Sequence, residues 1–284
     1  MVVILHTMIP SRDRSMPTKL YVVQSKMRPA GAHFACRDII SSMIVLPDVT
    51  LIGIDGVNIE RALRAADIST AGISFGAVKL LSSLPSTDPR VIAIPPVTSI
   101  EAYSKFCLTE LYKYVDTSQA LIFQYDGFVL NPGAWKDEWL QYDYIGAPIE
   151  IGQWTVERHG VPVSSIGDLV VGNGGFSLRS RRLLELTATL AAAGDFTLTE
   201  PEDWAQCYTE RAKLEAAGMR FAPVQVAEAF SFEGRSPEYY QYVDSFGFHG
   251  LRWTDISRWL DANPEYREFF PRVVTPATFQ DYTT

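Results

Sequence analysis

Apolar positions fall into short continuous runs separated by stretches of helical spacing. The clearest run is Ala120–Phe123, four apolar residues bounded by a polar residue at each end, which predicts a buried strand. Val49 to Ile54 predicts another, and Ala77–Leu81 and Val91–Ile94 two more. Between them, Ile59, Leu63 and Ala66 share one face of a helix predicted over 58–66. Ile100, Tyr103, Cys107, Leu111 and Tyr114 share a face of a second, opened by a capping-box pattern at Thr98 and Glu101. The segment 180–193 predicts a helix closed by Gly194, and another begins near Thr199. Strands alternating with helices predict parallel pairing, a Rossmann-like half covering 48–128. Residues 129–284 form the second half of the same domain. Within it, 131–165 is rich in Trp, Tyr, Gly and Pro and reads as irregular and partly exposed. Residues 1–47, broken by Pro10, Pro17 and Pro29, read as an N-terminal extension in which Lys19 to Gln24 could form a strand.

Composition narrows the partners. Of 284 residues, 47% are hydrophobic and 20% charged, enough for a substantial core. A net charge of -8 without a basic run argues against a nucleic acid held by its phosphates. Cys36, Cys107 and Cys207 show neither metal-ligand spacing nor a disulfide framework, so free thiols and a cytoplasmic setting are expected. No apolar run reaches membrane-spanning length.

Five places carry candidate chemistry, each with a plainer alternative. Gln124 and Asp126 project the same way from the end of the buried strand, where open α/β sheets bind ligands. Asp126 followed by Gly127 also suits a simple turn. Gly172-Asn-Gly-Gly175 lets backbone approach a ligand closely, and equally suits an Asn-Gly hairpin turn. Glu202 and Asp203 open a helix. Thr199 to Glu202 reads as a capping box, leaving Asp203 available as a general base. His249 lies in an aromatic segment and gains a role only if the fold returns it to Asp126. His159 reads as surface. Asp55 and Asn58 follow the first strand, where a ligand contact and a helix cap are both open.

In this order, the segments Val-Thr-Leu-Ile-Gly-Ile-Asp (49–55), Gln-Tyr-Asp-Gly (124–127), Tyr-Asp-Tyr-Ile-Gly-Ala-Pro (142–148), Gly-Asn-Gly-Gly-Phe-Ser-Leu-Arg (172–179) and Glu-Asp (202–203) resemble a largely uncharacterised group of GT-A-fold glycosyltransferases, over roughly 48–250. The resemblance implies an α/β fold with a Rossmann-like, mostly parallel central sheet flanked by helices, and a smaller mixed acceptor-side part. It implies transfer of a sugar, hexosyl or related, from a nucleotide-sugar donor, with UDP-sugars first, to an acceptor hydroxyl with inversion. Gln124-Tyr-Asp126 then matches the Asp-x-Asp motif, with Gln124 in place of the first Asp. Asp126 and His249 match the ligands of an Mn or Mg ion, and Asp203 the catalytic base. Asp55, Asn58, Gly174, Gly175 and Glu202 fall on the donor side with Gln124 and Asp126, and Trp154 on the acceptor side. The partners expected are the donor and a glycan or other hydroxyl acceptor, with a modified nucleic-acid base left open. Two rivals stand: a non-catalytic sugar-nucleotide or glycan-binding domain, favoured by Gln124, and a pyrophosphorylase, which lacks here the Arg-containing glycine-rich loop it needs after the first strand.

Overall fold

The structure, a computed structural model, describes residues 43–234, 245–252 and 254–270. The strand expected at 19–24, Cys36 and part of the aromatic tail beyond Tyr239 lie outside them.

Four parallel strands form most of the central sheet: β1 (Ile44–Ile54), β2 (Ile73–Ser82), β3 (Val91–Ala93) and β4 (Gln119–Phe123). Two further strands, β5 (Tyr144–Gly146) and β8 (Ser177–Ser180), complete it in the order β3-β2-β1-β4-β8-β5, with β8 antiparallel to both neighbours. Two small two-stranded sheets lie apart from it. One is antiparallel, β6 (Pro148–Glu150) with β7 (Leu169–Val171); the other is parallel, β9 (Ser231–Phe232) with β10 (Gly247–Phe248).

Why β4 reads as an unbroken apolar run is visible in its surroundings. Leu121 and Phe123 join a core with α1 (Ile59–Thr70) and a cluster of rings including Trp139, Phe176, Phe230 and Phe246. Ala120 and Ile122 face the other side, against Cys107 of α2 (Ile100–Thr109) and Leu184 of α4 (Arg181–Ala193). A strand covered on both faces has no polar side to alternate with.

Helix limits follow their caps. Asn58 caps α1, its side chain accepting from Arg61 N at 3.1 Å. Ser99, not Thr98, caps α2: Ser99 Oγ accepts from Ala102 N at 3.0 Å, and because Ala102 cannot reach back, the expected capping box does not form. Gly194 ends α4 in the left-handed conformation, φ 77°. Between β6 and β7 runs α3 (Gln153–His159). After α4 come the short turn α5 (Glu202–Trp204), a π-helical turn at Ala205–Thr209, α6 (Arg211–Ala216), α7 (Val224–Phe230) and, near the end, α8 (Ser257–Ala262).

Three expectations change. The strands flanking Gly172-Asn-Gly-Gly175 do not pair with each other: β7 pairs with β6, and β8 with β4 and β5, so the hairpin reading fails and the loop passes between two sheets. The segment 131–165 is partly exposed as expected but less irregular, because it carries β5, β6 and α3, with Trp139 and Tyr144 fully buried. β1 also opens at Ile44, earlier than the strand read from Val49.

From β1 the chain moves outward through β2 to β3 and then crosses back to β4, on the opposite side of β1. The carboxyl ends of β1 and β4 therefore border the crevice where such sheets accept ligands.

Candidate functional site

Each side chain at this edge is delivered by an element just described. β1 ends in Asp55, whose Oδ1 accepts Val57 N (2.7 Å) and Asn58 N (2.9 Å), while Arg61 Nε donates to its Oδ2 at 2.8 Å. Arg61 in turn lies over the Tyr125 ring, 3.8 Å from its centroid, which ties Asp55 and Asn58 to the β4 edge. Both therefore shape the start of α1 at the carboxyl end of β1. β4 delivers Gln124, whose Nε2 donates to Tyr103 OH at 3.1 Å. Its Oε1 faces His249 Nε2 at 3.2 Å. Asp126 follows, its Oδ1 buried, without a hydrogen bond and 3.7 Å from the same His249 nitrogen.

His249 comes from just past β10, and the parallel partner β9 brings Glu233 beside it. Glu233 Oε1 lies 3.4 Å from His249 Nδ1. Burial opposes the charge of His249, but Glu233, then Asp126 and Asp203, outweigh it and raise its pKa to about 9. Asn173 completes the arrangement. Its Nδ2 donates to Glu233 and lies 3.2 Å from His249 Nδ1, while its Oδ1 accepts Gly175 N (3.0 Å) and Phe176 N (3.2 Å). Asn173 holds φ 66°, a left-handed conformation that Asn adopts more readily than most residues. The loop it shapes passes so close to the imidazole that a Cβ on Gly175 would sit 2.0 Å from His249 Nε2.

The fourth wall is α5. Glu202 and Asp203 part company here. Glu202 is 3% exposed and takes Arg179 Nη2 at 2.9 Å, with the fully buried Arg179 also donating to Gln206 Oε1 at 3.0 Å. The expected capping box does not form: α5 follows Pro201 with no side-chain cap, and the Glu202 carboxylate is committed to Arg179. Asp203 accepts Gly174 N at 2.9 Å and Trp204 N at 2.8 Å. Each of its oxygens keeps a second lone pair. Burial and then the neighbouring Glu202 raise its pKa to about 6.

Gln124, Gly174, Gly175, Asp203 and His249 border a cavity of about 250 Å³, with Trp154 at its rim, whereas Asp126, Asp55 and Asn58 are not among its lining residues. Trp154 is half exposed. His159, expected at the surface, borders the cavity instead, stacked on Trp204 with ring centroids 4.6 Å apart. Sequence reading passed over Glu233, Arg179 and Tyr103 as site residues. Glu233 carried no signal of its own. Arg179 sat inside the recognised Gly-Asn-Gly-Gly-Phe-Ser-Leu-Arg segment, where its place four residues after Gly175 was the available clue.

Among the described residues, no group of three or more His, Cys, Asp or Glu side chains is arranged to hold a metal ion. The orphaned Asp126 Oδ1, the Gln124 amide oxygen and His249 Nε2 nevertheless converge as one carboxylate, one amide oxygen and one imidazole. That donor set suits a hard divalent cation once Nε2 gives up its proton. Glu233 on Nδ1 would hold the ring in the required tautomer.

A family model described as "Protein of unknown function (DUF5672)" matches residues 90–249. The chain belongs to the DUF5672 family. The match takes in β4, the loop from Gly172 to Gly175, α5 and His249, and leaves Asp55 and Asn58 outside it. No curated protein matches the chain. Among solved structures, it is similar to the galactosyltransferase LgtC in complex with donor and acceptor sugar analogs, at 15% identity and TM-score 0.40, over 80% of this chain and 96% of that one. It is also similar to an active-site mutant of LgtC, at 15% identity and TM-score 0.40, over 76% and 95%. Among the described residues of this DUF5672 chain, no helix is long and apolar enough to cross a membrane.

Proposed function

We propose that this DUF5672 protein transfers a glycosyl group from a nucleotide-sugar donor, a UDP-sugar first, to an acceptor hydroxyl. The observation that carries the reading is the meeting of Asp203, the orphaned Asp126 and His249 around the glycine loop at the carboxyl edge of β1 and β4. The order of motifs along the chain supports it.

Asp203 accepts the proton of the acceptor hydroxyl. A pKa of about 6 leaves it ionised yet basic near neutrality, where a general base is most effective. The hydroxyl oxygen bonds to the anomeric carbon, the bond from that carbon to the phosphate oxygen breaks, and the nucleoside diphosphate leaves with the electron pair. Attack opposite the leaving group inverts the anomeric centre. The amides held by Asn173 and Asp203 fix the loop against the donor sugar. Arg179, paired with Glu202, donates to Gly174 O at 3.5 Å and so steadies the residue whose amide Asp203 accepts. Asp126 and His249 would hold Mg or Mn, which when bound would neutralise charge on the departing diphosphate.

A second reading, a non-catalytic sugar-nucleotide or glycan-binding domain, draws on Gln124. This neutral amide occupies the motif's first carboxylate position and is already engaged by Tyr103 and His249.

The test is a thermal-shift panel of UDP, GDP, CMP and their sugar conjugates, each with Mn and with EDTA, followed by turnover of whichever donor binds. Asp126→Asn should retain the fold and lose both the Mn-dependent part of the shift and turnover. Near-normal turnover by Asp126→Asn removes the central claim. Asp203→Ala should keep donor binding and lose transfer, and loss of both together removes Asp203 as the base.

A further inference from the structure

A second cavity, of about 810 Å³, opens beside the first, and the same three segments wall both. On α2, Ile100 and Tyr103 border the smaller space, whereas Glu101, Ser104 and Lys105 border the larger. On α3, Trp154 and Thr155 border the smaller and Arg158 the larger. Ahead of α5, Thr199 and Glu200 border the larger, while Pro201 to Asp203 border the smaller. The stacked rings of His159 and Trp204 line both. The two spaces are thus chambers of one groove, divided by a pair of rings next to Asp203.

The larger chamber carries both signs of charge. Glu101 and Lys105 line it from α2, and Arg158 pairs with Glu200 at 3.2 Å on its other side. An anionic ligand would meet two carboxylates, and a cationic one two cations. Hydroxyl groups both donate and accept, so a ring of alcohols satisfies carboxylates and cations alike. Glu101 and Lys105, one helical turn apart, are both exposed and form no ion pair among the described residues, so their charged ends remain available. Ser104 Oγ on α2 and Thr199 Oγ1 ahead of α5, on two of its walls, are buried and have no hydrogen-bond partner, a state that buried hydroxyls rarely keep. The volume falls in the ~300–1,000 Å³ range of small-molecule sites.

We propose that the larger chamber binds an uncharged saccharide and, on the transferase reading above, seats the acceptor whose hydroxyl reaches Asp203 past His159 and Trp204. The sugar end of the donor lies in the smaller chamber, and the acceptor class is set by Glu101, Lys105, Arg158 and Glu200.

Saturation-transfer NMR and calorimetry on the full chain test this with maltotriose, cellotriose and chitotriose as neutral probes. Sialyllactose and a glucosamine trimer serve as the charged ones. At least one neutral trisaccharide should bind more tightly than either charged probe. Lys105→Ala should weaken it by about tenfold, as expected for one charge-assisted hydrogen bond. Thr209→Trp, at the exposed rim of the larger chamber, should block it while leaving the thermal shift with UDP unchanged. Binding by none of the probes, tighter binding of a charged probe, or neutral binding that ignores Thr209→Trp overturns the assignment. Saccharide binding blocked by Thr209→Trp, with no nucleotide shift in the wild type, keeps the saccharide site and removes the transferase reading. A nucleotide shift with no saccharide binding does the reverse.

Discussion

Replacing Gly175 with alanine tests how tightly the glycine loop and His249 are fitted together. The new Cβ would stand 2.0 Å from His249 Nε2, 2.2 Å from Cδ2 and 2.7 Å from Cε1. Ordinary carbon contacts begin near 3.5 Å, so the ring or the loop must withdraw by more than about 1 Å. Withdrawal of the ring strains its contacts with Gln124 (3.2 Å), Asn173 (3.2 Å) and Glu233 (3.4 Å). At about 1 kcal/mol net for each polar contact, Gly175→Ala should cost about 2–4 kcal/mol. In a domain of this size that is a fall in Tm of about 5–15 °C. Gly133→Ala is the control, because its Cβ would meet nothing within 4 Å; it should stay within about 0.5 kcal/mol of wild type. Urea unfolding of both variants gives the stabilities, and the His249 ring resonances report whether the imidazole has moved. A Gly175→Ala protein as stable as the control, with unmoved His249 resonances, refutes the close fit.

Glu202→Ala leaves Arg179 buried without its carboxylate and should cost about 3–5 kcal/mol in urea unfolding, with Arg179→Met plus Glu202→Leu recovering a large part. Stability should fall as pH rises between 6.5 and about 9. The folded pKa of His249 lies above its ordinary value, so its contribution is complete below 6.5 and lost through 9, and Glu233→Gln should shrink that fall. Asp203 is also raised, from 3.8 to about 6, so its contribution to stability is complete below 3.8 and is withdrawn as pH rises to 6. Transfer should rise over the upper part of that window as the carboxylate ionises. A pH-rate profile without an acid limb near 6 would separate Asp203 from proton transfer.

Local pattern was enough to place the elements that end at the site. Ala120–Phe123 is apolar throughout because helices cover both its faces, and that run announces a central strand wherever it occurs. Asn58 and Gly194 mark helix ends through their own backbone and side-chain chemistry, which needs no distant partner. Motif order likewise brought forward Asp126, the 172–175 loop, Asp203 and His249, and the fold gathers them at one edge. Caps resting on a neighbour's choice were misread: Ser99 competed successfully with Thr98, and Glu202 turned to Arg179.

What only the tertiary structure decided is which groups meet and what that meeting does to them. His249 reaches Gln124 across 125 positions and Asn173 reaches Glu233 across 60, and no local spacing encodes either pairing. The sequence Gly-Asn-Gly is compatible with a hairpin, and only the pairing of β7 with β6 and of β8 with β4 turns it into a loop pressed against an imidazole. Asp203 and His249 owe their shifted proton affinities to burial and to carboxylates brought in by other elements. A residue's type and its neighbours in the chain fix what chemistry it could perform, whereas its charge state depends on the solvent it loses and the groups it faces, and those are properties of the packed fold.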